Sequence, residues 1–335
     1  MERTWLRRPV MGVGVVFLAV VLAATCVLWV PVAVVADLLR RRWRMPLLRF
    51  VSFGALWAWL ETAGLIAASA LFLTGQAKNL DLNYRLQGWW TRNVVRSLRI
   101  TVGLTIEVEG FAELGSGPFI ALCRHASLAD SVMSAWVLVD HAHLKPRYVL
   151  KKELKMDPCL DVVGHRLPNY FIDRGSTNVS SELEGIEQMA TGLASDEVAV
   201  IFPEGSRAND VKRRKALDKL AVRSPERARR LERLQYLLPP KPAGASALLA
   251  AVPHANIITM WHSGFDGLDT FRGIVKHLAR RAVKVHVKIT EHHRATVASG
   301  EAFVEWLDEQ WLIMDDAVAR QMSRLFVPTS GGEHG

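Results

Sequence analysis

An almost unbroken apolar run from Val10 to Val35 constrains the fold of this chain more than any other feature. At about 1.5 Å per residue, a helix of this length can cross a bilayer. A second apolar run, at about Val51–Leu73, contains one charged residue, Glu61. The first run is too long for a signal-peptide h-region and lacks a clear cleavage site. The two runs therefore predict a membrane-associating helical pair ahead of a globular part.

Arginines flank both apolar runs. Five of them lie between positions 40 and 49, others precede the first run, and more follow the second. Lys and Arg prefer the cytoplasmic side, and a two-span hairpin cannot place all three basic segments there. Glu61 would add roughly 2.5 kcal/mol or more at the bilayer centre. We therefore expect the pair to dip into one leaflet, and an ordinary hairpin that violates the charge rule is the alternative.

The charge and cysteine content narrow the classes of partner. The 335 residues carry a formal net charge of +9, which suggests nucleic acid, an anionic membrane surface or an anionic substrate. No zinc-finger, basic-zipper or RNA-binding motif is present, so we expect no nucleic-acid partner. The cysteines Cys26, Cys123 and Cys159 follow neither a disulfide nor a metal-ligand spacing, which fits a cytosolic environment.

From about residue 100, short apolar runs alternate with helical stretches. This pattern predicts an α/β domain with a mixed, mostly parallel sheet flanked by helices. The predicted strands are Pro118–Leu122, Tyr148–Leu150, Tyr170–Ile172, Val198–Phe202, Ile257–Met260 and Val283–Ile289. The predicted helices are Ser127–Val139, Ser180–Ala194, Ala208–Tyr236, Ala245–Ala251 and Gly300–Arg320. We divide the chain into the helical pair at 1–78, a globular domain at 79–327 and a disordered tail at 328–335.

A histidine and an aspartate lie at the first predicted strand-to-helix turn. The four-residue gap between His125 and Asp130 is common by chance, but their position is informative. Ser127 is a suitable N-cap, which would make Asp130 the third residue of the helix, within reach of the imidazole. An imidazole held by a carboxylate on one nitrogen is a general base on the other. A purely structural histidine is the alternative.

An arginine lies just after the end of each of two further predicted strands. One apolar strand is followed by the stretch Phe202, Pro203, Glu204, Gly205, Ser206 and Arg207. Another ends in the stretch Phe171, Ile172, Asp173 and Arg174. Because a guanidinium can bind a phosphate through two hydrogen bonds, Arg174 and Arg207 together would form a site for a dianion. The alternative is a pair of turns with ordinary surface ion pairs.

The segment Asn209–Arg233 is dense in Lys and Arg. It predicts either a solvated helical face or a surface that meets lipid head groups or the phosphates of coenzyme A. The chain contains no Gly-x-Ser-x-Gly, HExxH, Walker or Rossmann pattern. A covalent serine mechanism therefore lacks a nucleophile. The remaining mechanism is direct attack by a substrate hydroxyl, assisted by a histidine.

These three motifs, in this order, resemble those of the glycerolipid acyltransferase family, which includes the 1-acylglycerol-3-phosphate acyltransferases. The family's His-x4-Asp motif is matched by His125 and Asp130, and the resemblance covers about residues 95–260. Its Phe-Ile-Asp-Arg and Phe-Pro-Glu-Gly-Thr/Ser-Arg motifs are matched by residues 171–174 and 202–207. The fourth motif is less clear, since Ala251–His254 departs from it after the proline. The stretch 238–244 and the charged insert look more like the lysocardiolipin and lysophosphatidylinositol branch.

The resemblance implies transfer of a fatty acyl chain from acyl-CoA or acyl-carrier-protein to the free hydroxyl of a lysophospholipid. The expected acceptor is 1-acylglycerol 3-phosphate, which would give phosphatidic acid. His125 would take the hydroxyl proton, Asp130 would orient His125, and amides at the helix start would hold the oxyanion. The acceptor-phosphate site would comprise Arg174, Glu204, Gly205 and Arg207, with motif support from Phe171, Asp173, Phe202, Pro203 and Ser206.

The implied partners are a membrane lysophospholipid and an acyl thioester, with acyl carrier protein as one form of donor. Neither a cofactor nor a metal is implied. We expect the protein at the cell membrane, with its catalytic domain facing the cytoplasm. The alternatives are another lysophospholipid, glycerol 3-phosphate or a glycolipid as acceptor, a thioesterase in which water replaces the alcohol, and a non-catalytic membrane scaffold.

Overall fold

The computed structural model describes residues 4–266, 268 and 270–326. The first apolar run forms two helices, α1 (Thr4–Ala24) and α2 (Cys26–Leu39). The second run forms α3 (Pro46–Leu73). The predicted tail at 328–335 lies outside the described residues, and the division into 1–78 and 79–327 stays a prediction.

Two helices in the described part of the chain are long and apolar enough to cross a membrane, namely Leu6–Ala24 and Pro46–Leu73. The predicted apolar pair is therefore present, although the first run is divided at Thr25. The outer faces of these helices expose large apolar side chains to the surroundings, including Val13, Phe17 and Phe72.

The globular part is built on a seven-stranded sheet. Its strands are β1 (Thr105–Glu109), β2 (Phe119–Cys123), β3 (Lys145–Lys151), β4 (Tyr170–Ile172), β5 (Glu197–Ile201), β6 (Asn256–Ser263) and β7 (Lys284–His292). They lie in the order β1-β7-β6-β2-β5-β3-β4. Every neighbouring pair is parallel except β6 and β7, which are antiparallel. The prediction of a mixed, mostly parallel sheet is confirmed.

Helices cover both faces of this sheet. They are α4 (Leu80–Val102), α5 (Asp130–Trp136), α6 (Pro158–Gly164), α7 (Val179–Ala190), α8 (Asp210–Arg223), α9 (Pro225–Leu231), α10 (Pro242–Ala251), α11 (Phe271–Arg280) and α12 (Glu301–Phe326). Ile120 and Leu122 of β2 point into a core formed with α7, α10 and α12. The alternating residues Phe119 and Ala121 point into a second core, formed with α4, α5 and α11.

Several predicted elements differ from the observed ones. The helix predicted at Ala208–Tyr236 is broken at Ser224, because Pro225 cannot donate the hydrogen bond that would continue α8 and instead begins α9. The predicted set lacked β1, α4, α6 and α11. The helix predicted from Ser127 begins at Asp130, so Ser127 is not its N-cap and Asp130 is its first residue rather than its third.

Helix α3 lies along the globular part and contacts it near both ends. Close to the helix start, Arg49 Nε donates to the carbonyl oxygen of Thr101 at 2.9 Å. Close to the helix end, Arg166 Nη1 donates to the carbonyl oxygen of Ala68 at 2.9 Å. Both ends of α3 are therefore held against the same body.

Glu61 does not face the lipid side of α3. It is fully buried, and its carboxyl oxygens accept from Trp90 Nε1 at 2.9 Å and from the amide of Cys159 at 3.0 Å. The expected cost of a carboxylate at the bilayer centre therefore does not arise.

The start of α1 is also held against the globular part, because Arg7 and Arg8 form ion pairs with the buried carboxylate of Asp161 in α6.

Candidate active site

His125 and Asp130 meet at the carboxyl end of β2, near the centre of the sheet. The imidazole Nδ1 of His125 lies 2.8 Å from Asp130 Oδ2. The His125 side chain is 12% exposed and that of Asp130 is 1% exposed, so only the histidine can be reached from outside. Because Nδ1 is engaged by the carboxylate, Nε2 is the nitrogen that is left for a substrate.

The turn between β2 and α5 is organised around the Asp130 carboxylate. Oδ2 also accepts from the amides of Ala126 at 2.6 Å and Ser127 at 2.8 Å, and Oδ1 accepts from Ser127 Oγ. Ser127 Oγ in turn accepts from the amide of Ala129 at 3.1 Å. These amides are therefore already engaged, and the expectation that they hold an oxyanion is wrong for residues 126, 127 and 129.

The Phe-Pro-Glu-Gly-Ser-Arg motif supports the histidine turn from behind. Glu204 is 2% exposed, and its oxygens accept from the amides of His125 at 2.7 Å and Leu238 at 2.9 Å. The amide of Ala208 donates to the carbonyl oxygen of His125 at 2.8 Å. The carboxyl group of Glu204 thus shapes the site through the backbone, and its assignment to the acceptor-phosphate site stays a prediction.

Gly205 allows the tight turn after Glu204. Its φ of +71° lies in the left-handed region that glycine adopts most readily. A β-carbon at this position would come within 3.0 Å of Lys241 Nζ. The amide of Lys241 also donates to the carbonyl oxygen of Pro203 at 2.9 Å, so the segment after α9 closes onto this turn.

Five basic side chains form a cationic cup beside the histidine, and these are Lys151, Arg174, Arg207, Lys212 and Lys241. Lys151 is the last residue of β3 and pairs in register with Ile172 of β4, two residues before Arg174. Burial, together with the positive charges of Arg174, Arg207 and Lys212, lowers the pKa of Lys151 to about 8. Such a concentration of like charge favours binding of a dianion.

The pKa of His125 depends on its burial, on the cationic cup and on Asp130. Burial lowers the pKa of His125 below its usual value of 6.5, and the charges of Lys151 and Arg174 act in the same direction. The hydrogen bond to Asp130 opposes them. His125 is therefore neutral at neutral pH, which is the state that a general base requires. The sequence-predicted Arg174 and Arg207 both act on the pKa of Lys151, a member of the cup that was not predicted.

The remaining motif residues serve the surrounding structure. The Phe202 ring packs 5.0 Å from that of His125, and Phe171 stacks on His165 at 4.4 Å. Asp173 accepts from Lys152 Nζ at 2.6 Å and from the amide of Gly175 at 2.9 Å. Pro203 is buried and Ser206 is half-buried in the same turn as Gly205. They support the placement of the catalytic and cationic side chains.

A second histidine lies against the aspartate. His262, near the end of β6, places Nε2 3.2 Å from Asp130 Oδ1, and its side chain is 2% exposed. Burial raises the pKa of Asp130, but the charges and hydrogen bonds of His262 and His125 outweigh it and hold the pKa well below the ordinary value. His262 is far from Asp130 in sequence and was not predicted.

An apolar cavity of about 600 Å³ opens behind the catalytic turn. Leu128 and Ala129 line it next to the histidine, and Phe53, Gly54 and Trp57 of α3 line it further in. This volume lies within the range of about 300–1,000 Å³ that is usual for ligand pockets. The cavity joins the catalytic turn to the membrane-associating helices.

A histidine–aspartate pair beside an apolar cavity suits an acyl transfer that is assisted by a general base. Residues 105–263 match the family model described as Acyltransferase. This match supports the resemblance to the glycerolipid acyltransferases that the three motifs carry.

The fold is also similar to the crystal structure of the 1-acyl-sn-glycerophosphate (LPA) acyltransferase PlsC from Thermotoga maritima, with a TM-score of 0.55. The alignment covers 87% of this chain and 100% of that chain at 17% sequence identity. Among the curated proteins, no significant match was found. The similarity supports the α/β fold that was predicted from the sequence.

Proposed function

We propose that this acyltransferase moves a fatty acyl chain from acyl-CoA or acyl-carrier-protein to the free hydroxyl of 1-acylglycerol 3-phosphate. The observation that carries the proposal is the position of one neutral, carboxylate-bound imidazole, His125, beside the cationic cup. A phosphomonoester fits this cup because it carries up to two negative charges and can accept hydrogen bonds from several cations. An acceptor with a larger head group carries a phosphodiester in this position, and a phosphodiester has only one negative charge.

The proposed reaction needs no covalent enzyme intermediate. His125 Nε2 takes the proton as the acceptor oxygen attacks the thioester carbonyl, and Asp130 stabilises the imidazolium that forms. The tetrahedral intermediate then expels the thiol, which takes the proton from His125. Lys151, Arg174 and Arg207 hold the phosphate, so the glycerol hydroxyl approaches the base as part of a bound molecule.

The acyl chain is proposed to occupy the cavity behind the turn. Apolar side chains form most of the cavity wall, and burial of each methylene there gains about 0.8 kcal/mol. The thioester carbonyl would then lie at the mouth, near Leu128, while the chain extends toward α3. The depth of this cavity would limit the length of the acyl chain.

The membrane helices are proposed to enter one leaflet from the cytoplasmic face without crossing. The contacts of Arg49 and Ala68 hold both ends of α3 against the globular part, and those of Arg7 and Arg8 hold the start of α1 there. A helix that crosses a bilayer leaves one end on the far side. This arrangement supports the shallow alternative and keeps every basic segment on one side.

An acceptor panel tests the proposal. The purified protein is incubated with radiolabelled acyl-CoA or acyl-carrier-protein and with 1-acylglycerol 3-phosphate, lysophosphatidylinositol, lysocardiolipin or glycerol 3-phosphate. We expect labelled phosphatidic acid at the highest kcat/KM. A higher value for another acceptor would contradict the acceptor assignment, and free fatty acid formed without any acceptor would instead support a thioesterase.

A further inference from the structure

The carboxylate of Asp130 is shared by two imidazoles, one on each oxygen. His125 Nδ1 lies 2.8 Å from Oδ2, and His262 Nε2 lies 3.2 Å from Oδ1. Apart from this contact with Asp130, neither ring nitrogen of His262 has a hydrogen-bond partner among the described residues. Buried polar groups are normally hydrogen-bonded, so packing alone does not account for an imidazole at this position.

The charged groups around His262 come from four other segments. Arg124, at the end of β2, donates to the carbonyl oxygen of His262 and forms an ion pair with Asp266 in the loop after β6. Asp130 faces His262 from α5, and Glu204 lies behind the turn after β5. Burial raises the pKa of Glu204 to about 8, which leaves this group largely uncharged at neutral pH.

Asp130 and Asp266 each carry a negative charge, and Arg124 supplies one positive charge to the same cluster. A buried carboxylate needs hydrogen-bond donors or positive charges near its oxygens. Nε2 of His262 faces Oδ1, where an N–H on this nitrogen stabilises the Asp130 carboxylate.

We propose that His262 is a positioning residue that presents its Nε2–H to Asp130 Oδ1 and thereby sets the proton affinity of His125. Because both imidazoles face one carboxylate, an Nε2–H at Oδ1 weakens the attraction of that carboxylate for the proton on His125. Loss of His262 would leave the carboxylate to His125 alone. The imidazolium form of His125 would then be more stable, and less of the free base would be present at a given acidic pH. The inference rests on the proposed role of the histidine–aspartate pair.

Direct titration of His125 tests this proposal in the full-length protein in detergent. Diethyl pyrocarbonate reacts with neutral imidazole, so the modification rate of the His125 peptide against pH, followed by mass spectrometry, reports its protonation. We expect His262→Leu to raise the midpoint pH of this modification curve by about one unit. His262→Gln, which can restore a neutral N–H donor, should raise it less. The acid limb of the acyl-transfer rate should move by the same amounts.

His286→Gln is the matched control. His286 Nε2 also lies 3.2 Å from a carboxylate oxygen, that of Glu109. His286 pairs in register with Ser263, so it points to the opposite face of the sheet from His262, and its loss should leave the midpoint unchanged. An unchanged midpoint in folded His262→Leu would overturn the proposal. If that variant does not fold, an unchanged midpoint in His262→Gln has the same meaning. A shifted midpoint in an enzyme without acyl-transfer activity would count against the proposed function and not against the role of His262.

Discussion

The amide of His125 donates a 2.7 Å hydrogen bond to the buried carboxyl group of Glu204, so the third motif holds the backbone of the first. The other oxygen of Glu204 accepts from the amide of Leu238 at 2.9 Å, which ties the segment after α9 to the same point. Glu204 therefore acts on catalysis through the position of the histidine turn.

This relationship predicts the phenotype of Glu204→Gln. The amide side chain can accept from one backbone N–H but presents its own NH₂ to the other, and an unsatisfied buried amide costs about 1–3 kcal/mol. We expect kcat to fall about tenfold or more while the acceptor KM changes little. Glu291→Gln is the control, because Glu291 also accepts from a backbone amide, that of Gly115, at a distance from the site. A raised acceptor KM with normal kcat would contradict a backbone role.

Lys151 should give the enzyme an alkaline limit. A lysine carries its charge below its pKa, which is about 8 here, so the cup loses a positive charge as pH rises through that value. We expect kcat/KM for the acceptor to fall above pH 8. Lys151→Arg should abolish this fall, because a guanidinium stays charged.

The neighbouring substitution Lys152→Arg is the control for this prediction. Lys152 is paired with Asp173, so its replacement should leave the alkaline limb in place. The same alkaline limb in Lys151→Arg would show that another group is responsible.

Gly54 should control the acyl chain length. It lines the cavity, and a β-carbon built at this position meets no atom within 4 Å, so a larger side chain can enter the cavity without a clash at its first carbon. We expect Gly54→Leu to lower kcat/KM for long acyl donors by about tenfold or more and to spare short ones. Gly14→Leu is the control, because Gly14 of α1 also has open space around it and does not line the cavity. Equal losses at all chain lengths would refute the placement of the chain.

The loop between α2 and α3 should face the cytoplasm. Arg41→Cys can be introduced into a Cys26→Ser background, in which the remaining cysteines, Cys123 and Cys159, are buried. In a shallow arrangement, a membrane-impermeant maleimide should label it only in inside-out vesicles. Met156→Cys, at an exposed position of the globular part, serves as the cytoplasmic reference. Labelling of Arg41→Cys in intact cells would require a crossing hairpin.

The sequence predicted the ends of β2, β3, β4 and β5 to within one residue, but it placed the ends of β6 and β7 three residues early. Tyr170–Ile172 was predicted with the observed bounds, because an apolar run meets an Asp-Arg-Gly turn there. Lys151 was missed because the predicted strand ended one residue before it, at Leu150, and a lysine in a lysine-rich stretch resembles an ordinary surface residue. Its importance comes from the register of β3 with β4, which aligns it with Ile172.

Long-range pairings account for the other misses. His262 reaches Asp130 because β6 lies beside β2 in the sheet, and no local pattern marks that histidine. Glu61 looked costly as an isolated charge in an apolar run, but Trp90 and the amide of Cys159 satisfy it from two other helices. Such pairings depend on tertiary packing, and local periodicity does not contain them.

The turnover of His125→Ala with 1-acylglycerol 3-phosphate and an acyl thioester tests the central claim most directly. The substitution removes the imidazole but keeps the backbone hydrogen bond to Glu204, so the protein should remain folded and membrane-bound, as judged by circular dichroism and flotation. A positioned general base contributes about 10²–10⁴-fold, and we expect a loss of turnover in this range or greater. Near-normal turnover by a folded, membrane-bound His125→Ala protein would contradict the account.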